Sequence, residues 1–233
     1  DGAGQLALAP LSPFTVSGLA SPYGIAAGNI VGDAAIDLVV ASSGLDTLLV
    51  LQGAGNGSFS LAQTIPAVLA PEASPTSVQL VDVDGDGRRE AVVANFAPRA
   101  NAGVPSSGNN RGVVFPGVPA GLSSSGDFVA VGPDTVAATA ADMDGDQRPD
   151  LLSASGAWGF AGSVALQQAT GAFDAPASFD AAGRPIQVVV GDFDASGYRD
   201  FAVLNQPTST LTVYLNTCGG DPVFDDGFEA STR

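Results

Sequence analysis

Short apolar runs alternate along the chain with clusters of glycine, aspartate, serine and proline. Four of the clearest runs are TLLVLQG from Thr47, GVVFPGV from Gly112, SVALQQA from Ser163 and TLTVYLN from Thr210. Short runs rich in β-branched residues and bounded by turn formers are typical of strands rather than helices. The pattern therefore predicts an all-β protein.

The chain is also an internal repeat. Glycine followed two positions later by phenylalanine or leucine recurs at Gly4, Gly57, Gly126 and Gly171, and each occurrence is expected to open a strand. Four segments align without gaps: GNIVGDAAIDLVVAS from Gly28, VDVDGDGRREAVVAN from Val81, ADMDGDQRPDLLSAS from Ala141 and GDFDASGYRDFAVLN from Gly191. The aligned loops begin at positions 29, 82, 142 and 192, which are 53, 60 and 50 residues apart, and the longest interval contains the loop-like segment 97–110.

Each repeat combines a strand, an aspartate-rich turn, a strand, a loop, a strand, a glycine turn and a last strand. Four antiparallel strands per ~50 residues form one blade of a β-propeller, whereas a β-helix has much shorter periods. We therefore expect residues 1–216 to form about four propeller blades. Residues 217–233 are expected to be a flexible acidic tail.

The ends of the repeat leave two architectures open. The chain begins on a fourth strand, Gly4–Pro10, and its last repeat stops after the third. Because an unpaired sheet edge favours aggregation, the N-terminal strand could complete the last blade and close a four-bladed ring. The alternative is that these blades are part of a larger propeller.

Three of the aligned loops carry acidic side chains at alternating positions, which a curled loop can direct toward one point. Ca²⁺ binds about six to eight oxygen ligands, and position 7 of each loop can offer a backbone carbonyl. The sequence therefore predicts one Ca²⁺ in each of these loops. The predicted ligands are Asp82, Asp84, Asp86, the Arg88 carbonyl and Glu90; Asp142, Asp144, Asp146, the Arg148 carbonyl and Asp150; and Asp192, Asp194, Ser196, the Tyr198 carbonyl and Asp200.

The loops are not equivalent. Loop 29–37 has Val31 where a ligand is needed, so no metal is expected there, and Ser196 should weaken the third site. An EF-hand is rejected because position 12 lacks its bidentate acid and the following residues are strand-like. Mg²⁺ is disfavoured because it requires octahedral geometry and retains its waters. Metal-free polar turns remain the alternative, since aspartate and glycine are common turn residues.

Charge narrows the range of functions. The chain has 24 acidic residues, 8 arginines, no lysine and no histidine, which gives a net charge of −16. This composition excludes a nucleic-acid binder, which needs a basic surface. An anionic membrane surface would repel the chain, and no apolar run approaches the ~20 residues that a membrane span requires. The acids concentrated in the loops would repel one another without a cation.

The residues for common catalytic sites are also missing. Without histidine, and with Cys218 as the single cysteine, the chain has neither a nucleophile–histidine pair nor a zinc site built from histidine and cysteine. A single cysteine also rules out an internal disulfide framework. We therefore expect no enzyme. Trp158, flanked by glycine in the segment 155–162, is a candidate ligand contact, and the favoured alternative is that it packs against a neighbouring blade.

The segment GDFDASGYRDFAV resembles the FG-GAP/VCBS repeat of integrin α-subunit propellers and secreted bacterial proteins. The resemblance implies Ca²⁺ between the first two strands of a blade, at loops 82–90, 142–150 and 192–200. Val31, Gln147 and Ser196 depart from the family pattern, and the family usually closes about seven blades. The tail DPVFDDGFE is similar to endings found in secreted Gram-negative proteins.

Together these features predict a non-catalytic, secreted or cell-surface module of bacterial origin. Its expected role is calcium-dependent adhesion or binding of an extracellular protein or glycan. The alternative is a structural propeller within a larger secreted protein whose catalytic part lies elsewhere.

Overall fold

A computed structural model describes residues 12–13, 15–67, 74–96, 111–131, 135–156, 162–179, 183–206, 208–216 and 228–230. The predicted N-terminal strand Gly4–Pro10, the segment 97–110, Trp158 and Cys218 lie outside the described residues.

Four antiparallel four-stranded sheets contain nearly all of the described strands. Sheet 1 consists of β1 (Pro22–Gly28), β2 (Asp37–Ser42), β3 (Thr47–Gly53) and β4 (Phe59–Pro66), with a 3-10 turn at Ser43–Leu45. Sheet 2 consists of β5 (Ser74–Val81), β6 (Glu90–Phe96), β7 (Arg111–Phe115) and β10 (Asp127–Ala130), and β8 (Gly117–Val118) pairs with β9 (Gly121–Leu122) in a small separate hairpin. Sheet 3 consists of β11 (Thr135–Ala141), β12 (Asp150–Ser155), β13 (Gly162–Ala165) and β14 (Ala177–Phe179). Sheet 4 consists of β15 (Arg184–Gly191), β16 (Asp200–Gln206), β17 (Thr210–Asn216) and β18 (Phe228–Ala230).

The first two strands of every sheet pair in the same register. The residue before each aspartate-rich loop lies opposite position 9 of that loop: Gly28 opposite Asp37, Val81 opposite Glu90, Ala141 opposite Asp150, and Gly191 opposite Asp200. The predicted all-β fold of repeated four-stranded blades, each with the loop between its first and second strands, is confirmed. No helix in the described part of the chain is long and apolar enough to span a membrane.

The sheets pack face to face in sequence order. Strand β1 contacts β5, β5 contacts β11, and β11 contacts β15. The second strands of the two inner sheets, β6 and β12, are buried on both faces because each of these sheets lies between two others. In β6, Val93 belongs to the core shared with sheet 1, and Val92 to the core shared with sheet 3. Phe179, Phe201 and Tyr214 fill the core between sheets 3 and 4, with ring centroids 4.5–5.2 Å apart.

Two details differ from the sequence predictions. The fourth position of sheet 4 is occupied by β18, which pairs with β17 and comes from the segment predicted to be a flexible tail. Without this segment, the backbone groups along one edge of β17 would have no partner strand in sheet 4. In sheet 3, Phe173 forms only an isolated bridge with Gln167, and strand β14 begins later, at Ala177.

Candidate metal centres

Left-handed backbone turns shape the three acidic loops. A positive φ at positions 4 and 6 curls the chain so that positions 1, 3 and 5 share one side, and glycine adopts this conformation without steric cost. Gln147 (φ 71°) and Ala195 (φ 62°) adopt it with a side chain. The residues with positive φ are Gly85 and Gly87, Gly145 and Gln147, and Ala195 and Gly197.

The carboxylates at positions 1 and 3 accept hydrogen bonds from their own loop. In loop 82–90, Asp82 accepts the Gly85 N–H at 2.8 Å and the Gly87 N–H at 3.0 Å, and Asp84 accepts the Asp86 N–H at 3.0 Å. Loop 142–150 repeats this arrangement with Asp142 and Asp144. In loop 192–200, Asp192 accepts the N–H groups of Ser196 and Gly197, and Asp194 also accepts the N–H of Ser196. These bonds orient the acids in advance of any ligand.

Three groups of carboxylate oxygens converge in these loops. Within each group, one oxygen from every member lies within 4.8 Å of the others. Two oxygens bound to one Ca²⁺ at about 2.3–2.6 Å lie at most about 5 Å apart, so this spacing fits calcium. The groups are Asp82, Asp84 and Asp86; Asp142, Asp144 and Asp150; and Asp192, Asp194 and Asp200.

Position 5 is not used in the same way in every loop. An ion pair joins Arg88 to Asp86, and another joins Arg148 to Asp146. Asp146 is outside the converging group of its loop, and Ser196, at the same position, accepts the Tyr198 N–H at 3.3 Å. The sequence predicted a role for Arg88 and Arg148 only through their backbone carbonyls. In the structure their side chains also form ion pairs with the acid at position 5.

The acid at position 9 joins three segments of its own sheet. Asp150 is fully buried and accepts the Met143 N–H at 2.7 Å, from its loop, and the Gln167 N–H at 2.8 Å, from beyond the third strand. The donors in the other sheets are Ile30, Val31 and Gly53 to Asp37; Val83 and Gly117 to Glu90; and Phe193 and Asn216 to Asp200. Each of these carboxylates therefore links its loop to the third strand or to the residues just beyond that strand.

Loop 29–37 shows that this linking role does not depend on a group of converging carboxylates. It lacks an acid at positions 1 and 3, yet Asp37 is fully buried and keeps its hydrogen bonds to the loop and to the third strand. In loop 82–90, Glu90 makes the same links and lies outside the converging group of Asp82, Asp84 and Asp86. Position 9 thus has a structural role in all four sheets.

Two amide side chains connect neighbouring loops. Gln167 of sheet 3 donates from Nε2 to the Val83 carbonyl in loop 82–90 at 3.1 Å. Asn216 of sheet 4 donates from Nδ2 to the Met143 carbonyl in loop 142–150 at 2.8 Å. The backbone N–H of each residue is bound to the position-9 acid of its own sheet. The three acidic loops are therefore consecutive members of one hydrogen-bonded series.

Burial and mutual repulsion disfavour ionisation of some of these acids. Burial, with smaller contributions from repulsion by nearby Asp144 and Asp142, raises the pKa of Asp150 to about 6. Burial, followed by repulsion from Asp142, raises the pKa of Asp144, and burial also raises that of Glu90. A bound cation favours the ionised form of neighbouring carboxylates and would counteract these effects.

Repeated four-stranded sheets with an acidic loop between the first two strands define a repeat protein of the β-propeller class. A family model described as FG-GAP-like repeat matches residues 29–93 and 142–203, more than half of the chain. The chain belongs to this family, which confirms the resemblance seen in its motifs.

Solved structures show the same fold at low sequence identity. A protein from Lactobacillus plantarum aligns with a TM-score of 0.58 and 16% identity over 91% of this chain and 56% of its own. The V. cholerae biofilm matrix protein Bap1 aligns with a TM-score of 0.50 and 18% identity over 83% of this chain and 26% of its own. This chain thus spans little more than half of the first structure and about a quarter of the second. A search of curated proteins gave no significant match.

Proposed function

We propose that this chain is a non-catalytic calcium-binding propeller module that functions outside the cell in adhesion or ligand binding. The observation that carries the proposal is the convergence of three carboxylates in each of three loops, within 4.8 Å of one another. All of these donors are oxygens, which suit a hard cation, and Ca²⁺, unlike Mg²⁺, does not require a near-ideal octahedral arrangement of them.

Calcium would supply positive charge among these carboxylates. The protein itself orients the ligands and holds the loops. Backbone N–H groups orient Asp82 and Asp84, and Asp150 and Asp200 connect their loops to the end of the third strand. Because the loop acids repel one another without a cation, binding should stabilise the folded state relative to the unfolded state. The net charge of −16 is consistent with a cation-dependent protein.

Extracellular calcium is abundant enough to fill sites of modest affinity, about 10⁻⁴–10⁻³ M. The FG-GAP-like repeats and a structural relative from a biofilm matrix support a location outside the cell. Extracellular proteins and glycans are the partners we propose. An array of both, probed with the chain in millimolar Ca²⁺, tests this part of the proposal, and a failure to bind any of them would contradict it.

The second candidate is a structural propeller within a larger secreted protein. It is favoured by the coverage of the L. plantarum structure, of which this chain matches 56%. An absence of binding on the arrays, together with calcium-dependent stability, would favour this candidate over an adhesion module.

Thermal unfolding tests the calcium sites directly. The melting temperature should rise with Ca²⁺ concentration after removal of metal by EGTA, and should rise little with Mg²⁺. Asp84→Ala should reduce this rise, whereas Asp33→Ala, an exposed acid in the loop without acids at positions 1 and 3, should leave it unchanged. Melting curves that superimpose in EGTA and Ca²⁺ would show that the loops are metal-free turns.

A further inference from the structure

A cavity of about 450 Å³ lies between sheets 2 and 3, beside loop 82–90. Its apolar lining includes Val83, Val114 and Val129, which belong to the buried core shared by these two sheets. Two aromatic residues, Phe128 and Phe173, also line it, and Phe128 is 45% exposed. The cavity thus combines an apolar floor with access from solvent.

The ionisable residues that line this cavity are all acidic: Asp84, Glu90, Asp127 and Asp174. Gln167, which also lines it, is 4% exposed and donates from Nε2 to the Val83 carbonyl. That bond fixes the orientation of the amide, since only its nitrogen can donate. The Gln167 Oε1 atom accepts no hydrogen bond from the residues that the structure describes, so it remains available as an acceptor.

We propose that this cavity binds an organic cation with an apolar stem, such as an alkylammonium group or a lysine side chain. Carboxylates and an amide oxygen accept hydrogen bonds, and an ammonium group offers three donors and no acceptor. The stem of such a ligand packs on apolar surface while its charged end remains at the polar rim. The same lining repels anions.

This inference deepens the proposed function by naming a ligand class for the module. Calcium in loop 82–90 would use Asp84, whereas Asp127 and Asp174 belong to β10 and to the glycine turn of sheet 3, outside all the acidic loops. The cavity therefore keeps acidic groups of its own when the loop is filled. Cation binding and calcium binding can be measured separately on the same sample.

Titration of ¹⁵N-labelled protein with n-pentylammonium in millimolar Ca²⁺, followed by NMR, tests the proposal. We expect saturable shifts of the Gln167 side-chain amide, and at least tenfold weaker binding of 1-pentanol, which keeps the stem and loses the charge. Asp127→Asn should weaken n-pentylammonium about two- to fivefold, as expected for an exposed ion pair. Asp46→Asn, an exposed acid outside the cavity, is the matched control.

Equal binding of 1-pentanol and n-pentylammonium, equal weakening by both variants, or no saturable shift would each overturn the proposal. The peptide acetyl-Gly-Lys-Gly-amide identifies the source of the cation. Comparable affinity for the peptide would indicate a lysine side chain, and binding of n-pentylammonium alone would indicate a small amine. Calcium-dependent melting of the same sample separates the two hypotheses, because a chain that is stabilised by Ca²⁺ but does not bind the amine contradicts only the cavity proposal.

Discussion

Replacing Asp37 with asparagine isolates the structural role of position 9 from metal binding. Asp37 accepts N–H groups from Ile30 at 2.8 Å, Val31 at 2.9 Å and Gly53 at 2.9 Å, and it is fully buried. Asparagine has one acceptor oxygen, so its NH₂ group must face either the loop or the third strand. At least one buried N–H then loses its acceptor, and the other bonds lose their charge.

We expect Asp37→Asn to lower the free energy of unfolding by about 3 kcal/mol, since a hydrogen bond to a charged group contributes about 1.5–3 kcal/mol. For a chain of this size that corresponds to a fall in melting temperature of about 6–12 °C. The fall should be the same in EGTA and in Ca²⁺, because loop 29–37 lacks acids at positions 1 and 3.

Thermal unfolding is measured by circular dichroism, in EGTA and across a Ca²⁺ titration. Asp150→Asn is the comparison variant. Asp150 makes the same links and also belongs to a converging carboxylate group. Its replacement should therefore lower the melting temperature and also reduce the stabilisation by Ca²⁺. A melting temperature of Asp37→Asn within about 2 °C of the parent would refute the linking role, and a deficit that changes with Ca²⁺ would show that loop 29–37 binds metal.

Three further predictions concern the same loops. Gln147→Gly should raise the stability of the chain by about 1 kcal/mol, because φ at this position is 71°; denaturant unfolding measures it, and destabilisation would contradict it. Asn216→Ala should cost about 1–3 kcal/mol by leaving the Met143 carbonyl without its donor, and unchanged stability would show that this link between loops contributes nothing. In EGTA, the stability contribution of Asp150 should fall as pH rises from about 4 to about 6: its folded-state pKa of about 6 lies above the ordinary 3.8, so the folded state holds the additional proton in this interval. Asp150→Asn should lose this part of the pH dependence, and identical pH profiles for variant and parent would contradict the assignment.

The repeat and its strand order were predictable because they depend on local patterns. Each repeat contains its own apolar runs and turn residues. The strands Thr47–Gly53 and Thr210–Asn216 could therefore be predicted with the bounds that the structure shows. The pairing of β18 with β17 was not predictable in this way. It joins segments separated by a stretch of acidic and glycine residues, and the short run at Phe228 carries no alternating pattern.

In the acidic loops, too, features set by neighbouring residues could be predicted, and contacts with residues far along the chain could not. Positions 1, 3 and 5 could be identified from their spacing, whereas the partners of position 9 lie on the third strand or just beyond it. Gly117, Gln167 and Asn216 share a structural position, yet as glycine, glutamine and asparagine they share no sequence signal. Their common property is a backbone N–H, which every residue except proline possesses. Only an alignment of the third strands could have suggested their equivalence.

The linking role of position 9 explains how the first repeat can lack acids at positions 1 and 3 without losing its fold. Asp37, Asp150 and Asp200 bind backbone N–H groups with both carboxylate oxygens, so the connection from loop to third strand does not require a cation. Substitutions at positions 1 and 3 then remove hydrogen bonds within the loop and candidate metal ligands, and leave this connection intact. Calcium dependence should accordingly be confined to loops 82–90, 142–150 and 192–200, where it adds stability to a loop that is already held in place.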